Sequence, residues 1–268
     1  MRCAVIGHLE WVEFARIERM PEAGEIVHAD EVWQEAGGGG PVAAVQMAKL
    51  AGNCTFVTVV GTDDLGQQVR EQLDRQGVTV LAAARQATRR AFVHIDEIGE
   101  RTITVLGEKL RPRAKDIDLD WREFDAVNFV SGDAELLRAA RRAGVLSATA
   151  RELPTIRDAA IELDVLIGSG KDDGERYHPG ELEPPPKLVV TTSGALGGWA
   201  QPGGPFTAAE PPGPIEDTYG AGDCFAAGLT FALGRGDDPR DALALAAQCG
   251  ATVITGRGPY GRQLSLTG

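Results

Sequence analysis

The chain has 268 residues, 43% hydrophobic and 25% charged, the size and balance of one ordinary globular domain that can bury its own core without a staple. Its 39 acidic side chains outnumber 27 basic ones, and the formal charge of −12 repels nucleic acid and anionic lipid, so neither is expected as a partner. Cys3, Cys54, Cys224 and Cys249 lie far apart with no CxxC or Cys/His spacing and read as buried thiols in a reducing compartment. No apolar run approaches the roughly 18 residues a membrane span needs, so no membrane partner and a cytoplasmic location are expected.

In chain order, Val- and Ile-rich runs predict strands over 2–6, 54–60, 126–130, 164–167 and 188–192. Helical spacing predicts helices over 41–50, 65–76, 134–143, 156–163, 223–233 and 239–254, the last starting from an Asp238 cap with Pro239 at its first position. The alternation predicts an α/β fold with a central, mostly parallel sheet covered by helices on both faces. Between 88 and 105 the pattern changes: apolar runs 91–95 and 102–105 flank a charged, Gly-bearing turn and predict a β-hairpin, either an edge pair or a small lid. Proline runs at 184–186 and 211–214 mark loops.

Asp217-Thr218-Tyr219-Gly220-Ala221-Gly222-Asp223 is the most informative stretch. Its glycines let the backbone turn tightly beside a ligand, and the helix that follows opens with free amides that attract anions. An acid in that first turn would also answer the helix dipole, by about 0.3–1 kcal/mol. An anion pocket with a carboxylate beside it is nevertheless what phosphoryl transfer to an alcohol requires: amides to steady the moving charge and a base to take the proton.

This stretch resembles the DTxGAGD signature of the ribokinase-like (PfkB) carbohydrate kinases. The resemblance implies one ribokinase-like domain over 1–268 with a β lid from about 11–35 and 88–106. It implies an ATP-dependent kinase acting with Mg²⁺ on a hydroxyl of a sugar, polyol or nucleoside, and a homodimer through the lid. By the same resemblance Asp223 is the catalytic base, and the amides of Gly220, Ala221 and Gly222 form the anion hole. Gly38, Gly39 and Gly40, within a four-glycine run that could otherwise be a flexible loop or a dinucleotide turn, match the glycine turn against the acceptor. Thr192, Gly194 and Gly197 match the TxGxxG nucleotide turn, and Gly258 matches the segment that closes the nucleotide pocket. The GxDxxG-like turn at 61–66 reads mainly as a helix cap by Asp63 or Asp64.

Three positions depart from the family pattern. Val42 stands where an Asn contacts the sugar. Val12 stands where an Asp grips substrate hydroxyls, with Glu10 or Glu13 as replacements and Glu13 taken as the candidate. Ser169-Gly170-Lys171-Asp172 stands for the NxxE motif tied to magnesium, leaving Asp172 as the metal-side acid. Trp11 and Trp33 offer either a stacking face for the acceptor or ordinary core anchors. The departures motivate a second reading, a catalytically weak relative that senses nucleotide or metabolite.

Overall fold

The computed structural model describes residues 1–85 and 87–266; position 86 and the last two positions of the expected domain lie outside the described residues. The first half runs β1 (Cys3–Ile6), β2 (Glu10–Arg16), β3 (Glu31–Gly37), α1 (Gly39–Ala51), β4 (Cys54–Gly61), α2 (Asp64–Arg75), β5 (Val78–Arg85), β6 (Arg90–Ile95) and β7 (Arg101–Leu106). The second runs β8 (Ala126–Phe129), α3 (Ala134–Ala140), β9 (Val145–Thr149), α4 (Leu153–Ala159), β10 (Val165–Ser169), β11 (Leu188–Thr192), β12 (Gly198–Gln201), β13 (Gly204–Phe206), α5 (Ala221–Arg235) and α6 (Pro239–Val253).

Among the described residues, nine strands form one sheet in the order β13-β12-β11-β10-β9-β8-β1-β4-β5. All pair in parallel except β12 and β13, which turn back antiparallel at one edge. Alternation along β1 shows how the sheet divides its core. Cys3 and Val5 face a cluster with residues of α1, α2, α5 and α6, whereas Ala4 and Ile6 face one with residues of α3 and α4. Helices therefore cover both faces, and the sequence-level fold class holds. The four cysteines are buried free thiols. Among the described residues no helix is long and apolar enough to cross a membrane.

A second sheet, ordered β3-β2-β6-β7, gathers the segments for which a lid was expected. Strands β2, β3, β5, β9, β12 and β13 lie outside the predicted set, because their mixed, alanine-rich or glycine-bearing sequences carry no continuous Val- and Ile-rich run. Helix α4 spans 153–159 instead of 156–163: Pro154 suits its first turn, and Ala160 adopts a left-handed φ of 49° that ends it.

Asp63 ties the two sheets together. It caps α2 by accepting from the Gly66 N–H at 3.0 Å, and it also accepts from the Thr88 N–H at 2.8 Å and the Thr88 hydroxyl at 2.6 Å, just before β6. Burial pushes its pKa up, but these hydrogen bonds outweigh that effect and hold it below the ordinary value. Asp63→Ala is expected to lower unfolding free energy by about 1–3 kcal/mol in urea titrations at neutral pH. With the folded pKa depressed, this stabilisation is present above the unfolded carboxylate pKa and fades as pH falls through the folded one, so the difference between variant and wild type shrinks in acid.

Candidate active site

Asp217 anchors the glycine-rich loop. Completely buried, it accepts from the Tyr219 N–H at 2.9 Å and from the Gly258 N–H at 2.7 Å, so one carboxylate joins the loop to the 255–258 turn. Gly220 then takes a left-handed φ of 83°, and a Cβ there would lie 2.8 Å from the Val42 methyl. Only glycine meets both demands. The turn launches α5, whose geometry leaves the amides of Ala221, Gly222 and Asp223 without intrahelical partners. The space beside them is open: a Cβ at Gly222 would meet nothing within 4 Å.

Asp223, partly buried on the first turn of α5, meets the first turn of α1. A Cβ at Gly39 would lie 2.6 Å from the Asp223 Oδ1 and 2.9 Å from the Val130 methyl. Two helix N-termini thus converge on one carboxylate. The Asp223 pKa is raised to about 6, chiefly by burial, with the Glu175 and Glu10 carboxylates adding to the rise and Arg101 and Arg151 opposing it.

On the acceptor side, Gly38 has a left-handed φ of 85° and donates its N–H to the Tyr219 hydroxyl at 2.8 Å. A Cβ at Gly38 would sit 3.4 Å from the Glu10 carboxylate and 3.4 Å from the His8 ring. Glu10, 6% exposed, pairs with Arg89 at 2.8 Å. Strand alternation decides between the two candidate acids. Val12 would contact a Cβ at Gly37, Phe14 packs edge-on against Tyr219 and Arg16 donates to the Glu216 carbonyl, so even-numbered residues of β2 face the loop. Glu13 points to the opposite face, 3.9 Å from Arg90, and the acid beside the glycine turn is Glu10. Gly40 is also displaced from the expected role: a Cβ there would lie 2.7 Å from the Phe56 ring, so this glycine serves close packing of α1 on the sheet. Val12 and Val42 are fully buried, which accounts for their apolar character. The tryptophans are anchors: Trp33 stacks on Phe14 at 5.0 Å with the Arg257 guanidinium 5.2 Å from its ring, and Trp11 donates to Gln34 at 3.2 Å.

Thr192 ends β11, and Gly194 and Gly197 take left-handed φ values of 62° and 85° in the turn beyond it. A Cβ at Gly194 would lie 2.9 Å from the Lys171 ammonium, which brings a cation to this turn. Asp172 accepts from Arg151 at 2.5 Å and from the Gly174 N–H at 2.8 Å, interactions that lower its pKa. Glu175, which sequence reasoning passed over, accepts from the same guanidinium at 2.7 Å. The acidic run 172–175 after β10 was the available signal. Among the described residues no three His, Cys, Asp or Glu side chains form a ready metal cage.

The hairpin of the second sheet is bonded to the loop. Thr218 donates its N–H to the Gly99 carbonyl at 3.1 Å, and Arg101 donates to the Thr218 hydroxyl at 3.1 Å. The ends of the parallel strands, the amide-lined turn and the covering hairpin define a phosphotransferase site of the ribokinase-like class.

Comparison with known proteins agrees. The pfkB family carbohydrate kinase profile matches residues 1–139 and 131–264. A fructokinase from Salmonella typhimurium is 31% identical, with 85% of this chain and 90% of the relative covered. An ATP-dependent ribose-1-phosphate kinase from Halopiger xanaduensis is 28% identical, with 94% and 91% covered. The ribokinase structure from Thermotoga maritima superposes with a TM-score of 0.79 at 23% identity, covering 99% of this chain and 96% of that one. The chain belongs to the pfkB family and is an ATP-dependent carbohydrate kinase.

Gly39→Ala places a methyl group against the Asp223 carboxylate. It is expected to leave far-ultraviolet circular dichroism unchanged while lowering kcat by about 10- to 100-fold, since a displacement of about 1 Å at a reacting group has that effect.

Proposed function

We propose that this kinase transfers the γ-phosphoryl group of ATP to a hydroxyl of a sugar or sugar-like acceptor, with Asp223 as general base. The observation that carries the reading is the meeting of the Asp223 carboxylate with the Gly38–Gly39 turn on one side and the unpartnered α5 amides on the other. In the transfer the acceptor oxygen forms a bond to the γ-phosphorus as the bond from that phosphorus to the β,γ-bridging oxygen breaks. ADP leaves with that electron pair, and the hydroxyl proton passes to Asp223. The amides of the Gly220-Ala221-Gly222 turn and of Asp223 hydrogen-bond the charge spread over the moving group. Glu10, oriented by Arg89, accepts from acceptor hydroxyls at the Gly38–Gly39 turn.

The nucleotide lies along Thr192, Gly194 and Gly197, with Lys171 toward its phosphates and Gly258 closing the pocket. Mg²⁺ belongs to the same reading and offsets phosphate charge when bound. Asp172 and Glu175 already surround one positive centre, the Arg151 guanidinium, and their oxygens suit magnesium and its waters beside phosphate. A homodimer through the lid is consistent with β7, whose six residues are all exposed and include Ile103, Val105 and Leu106. The sensor alternative rests on Val12, Val42 and Ser169; the first two pack against the glycine turns, Val12 at Gly37 and Val42 at Gly220.

Asp223→Asn is expected to retain ATP binding by calorimetry while turnover falls by about 100-fold or more. Burial makes the charged carboxylate less favourable in the folded chain than in the unfolded one, so its ionisation costs stability above about pH 6 and the variant should melt no lower than wild type at neutral pH. Wild-type turnover in this variant would refute the assigned base.

A further inference from the structure

Lys109, Arg111 and Arg113 concentrate three cations in five residues of a chain whose net charge is −12. This segment leaves the lid strand β7 and is held in place: the Pro112 carbonyl accepts from the Asp133 N–H at 3.1 Å, and the Asp133 carboxylate accepts from the Ala114 N–H at 3.2 Å. The three cations, with Gly132 and Thr155, line a pocket of about 410 Å³. Two acids also line it, Asp133 and Asp158, but Asp133 is committed to the backbone of Ala114 and to the Leu136 N–H at 2.8 Å as the α3 cap.

Glu152, 2% exposed, is the fixed counter-ion. It accepts from Lys109 at 2.8 Å, from Arg111 and from the Thr155 hydroxyl at 3.0 Å. An ammonium has three N–H donors and a guanidinium five, so one carboxylate shared by two cations leaves donors unspent. The pocket adjoins the acceptor site: β8 runs on through Val130, which packs at Gly39, to Gly132 on the pocket wall.

The intervening wall is polar as well. The His8 Nδ1, the Arg89 Nε and the Ser131 hydroxyl are buried there without a hydrogen-bond partner. Burial lowers the His8 pKa well below the ordinary value, and Lys109, Arg89, Arg111 and Arg151 lower it further. Lys109 acts on Glu10 as well, so its charge reaches into the acceptor pocket. A phosphate or carboxylate uses donors alone, and Lys109, Arg111 and Arg113 supply them in the pocket, while Glu10 remains for an acceptor hydroxyl.

We propose that the acceptor carries an anionic group, a phosphate or a carboxylate, seated on Lys109, Arg111 and Arg113, with its reacting hydroxyl directed at Asp223. This rests on the kinase reading and leaves the bond changes of the transfer as written above.

The test pairs thermal shift with ADP release for wild type against matched probes: fructose and ribose, their monophosphates, and the sugar acid gluconate, each with Mg-ATP. Either the sugar phosphates or the sugar acid should raise the melting temperature and be turned over with a KM at least about 10-fold below that of the neutral sugars, and the responding arm identifies the group. Lys109→Met should raise that KM by about 10- to 100-fold with little change in kcat, the loss of one charge-assisted hydrogen bond. Because Lys109→Met leaves Glu152 short of one partner, Arg113→Met, whose cation is exposed and makes no contact with Glu152, serves as the second variant with the same expected direction. A neutral sugar used with a KM equal to or below that of every anionic probe overturns the proposal, as does the absence of both melting shift and turnover with all anionic probes. ADP release from no probe despite ATP binding would count against the kinase reading instead, and the melting shifts would still decide the anion site.

Discussion

The approach of the Asp223 carboxylate to the backbone of Gly39 is the constraint on which the rest of the site depends. It brings two helix N-termini, from sequence positions nearly two hundred residues apart, to one side chain, and it leaves no room for a Cβ between them. A carboxylate so placed, partly buried and with no basic side chain among the described residues paired to it, is less well solvated than a surface acid. Burial accordingly raises its pKa toward the range where a base can both hold and release a proton near neutrality. The unpartnered amides proposed to steady phosphoryl charge belong to the same turn, so the proposed base and anion hole share one piece of backbone.

That backbone is secured from three directions. Asp217 ties it to Gly258, Tyr219 accepts from the Gly38 amide, and the β6–β7 hairpin bonds Thr218 through the Gly99 carbonyl. The lid also delivers Arg101, whose charge counters the rise in the Asp223 pKa. The second sheet thus acts electrostatically on Asp223 through a side chain that the glycine-acid motif does not contain.

The parallel sheet and its flanking helices were legible because buried strands such as 54–61 and 188–192 are near-continuous apolar runs and because caps such as Asp63 and Asp238 mark helix starts. The glycine-acid loop was legible because its chemistry is local in sequence. The acceptor wall was not. Glu10 and Glu13 look alike in a linear reading, and only the pairing register of β2 separates a residue at the glycine turn from one on the far face. Arg89, Lys109, Arg151 and Glu175 come from four separate segments, and the pairs they make, Arg89 with Glu10, Lys109 with Glu152 and Arg151 with Glu175, are a property of topology.

The most direct test of the central claim is the pH dependence of kcat/KM, which reports the protonation of the free enzyme's essential base. The account predicts an acid limb of unit slope that levels off above about pH 6, and its loss in the Asp223→Asn variant. A wild-type profile flat between about pH 5 and 8, or an acid limb that survives in the variant, would contradict it.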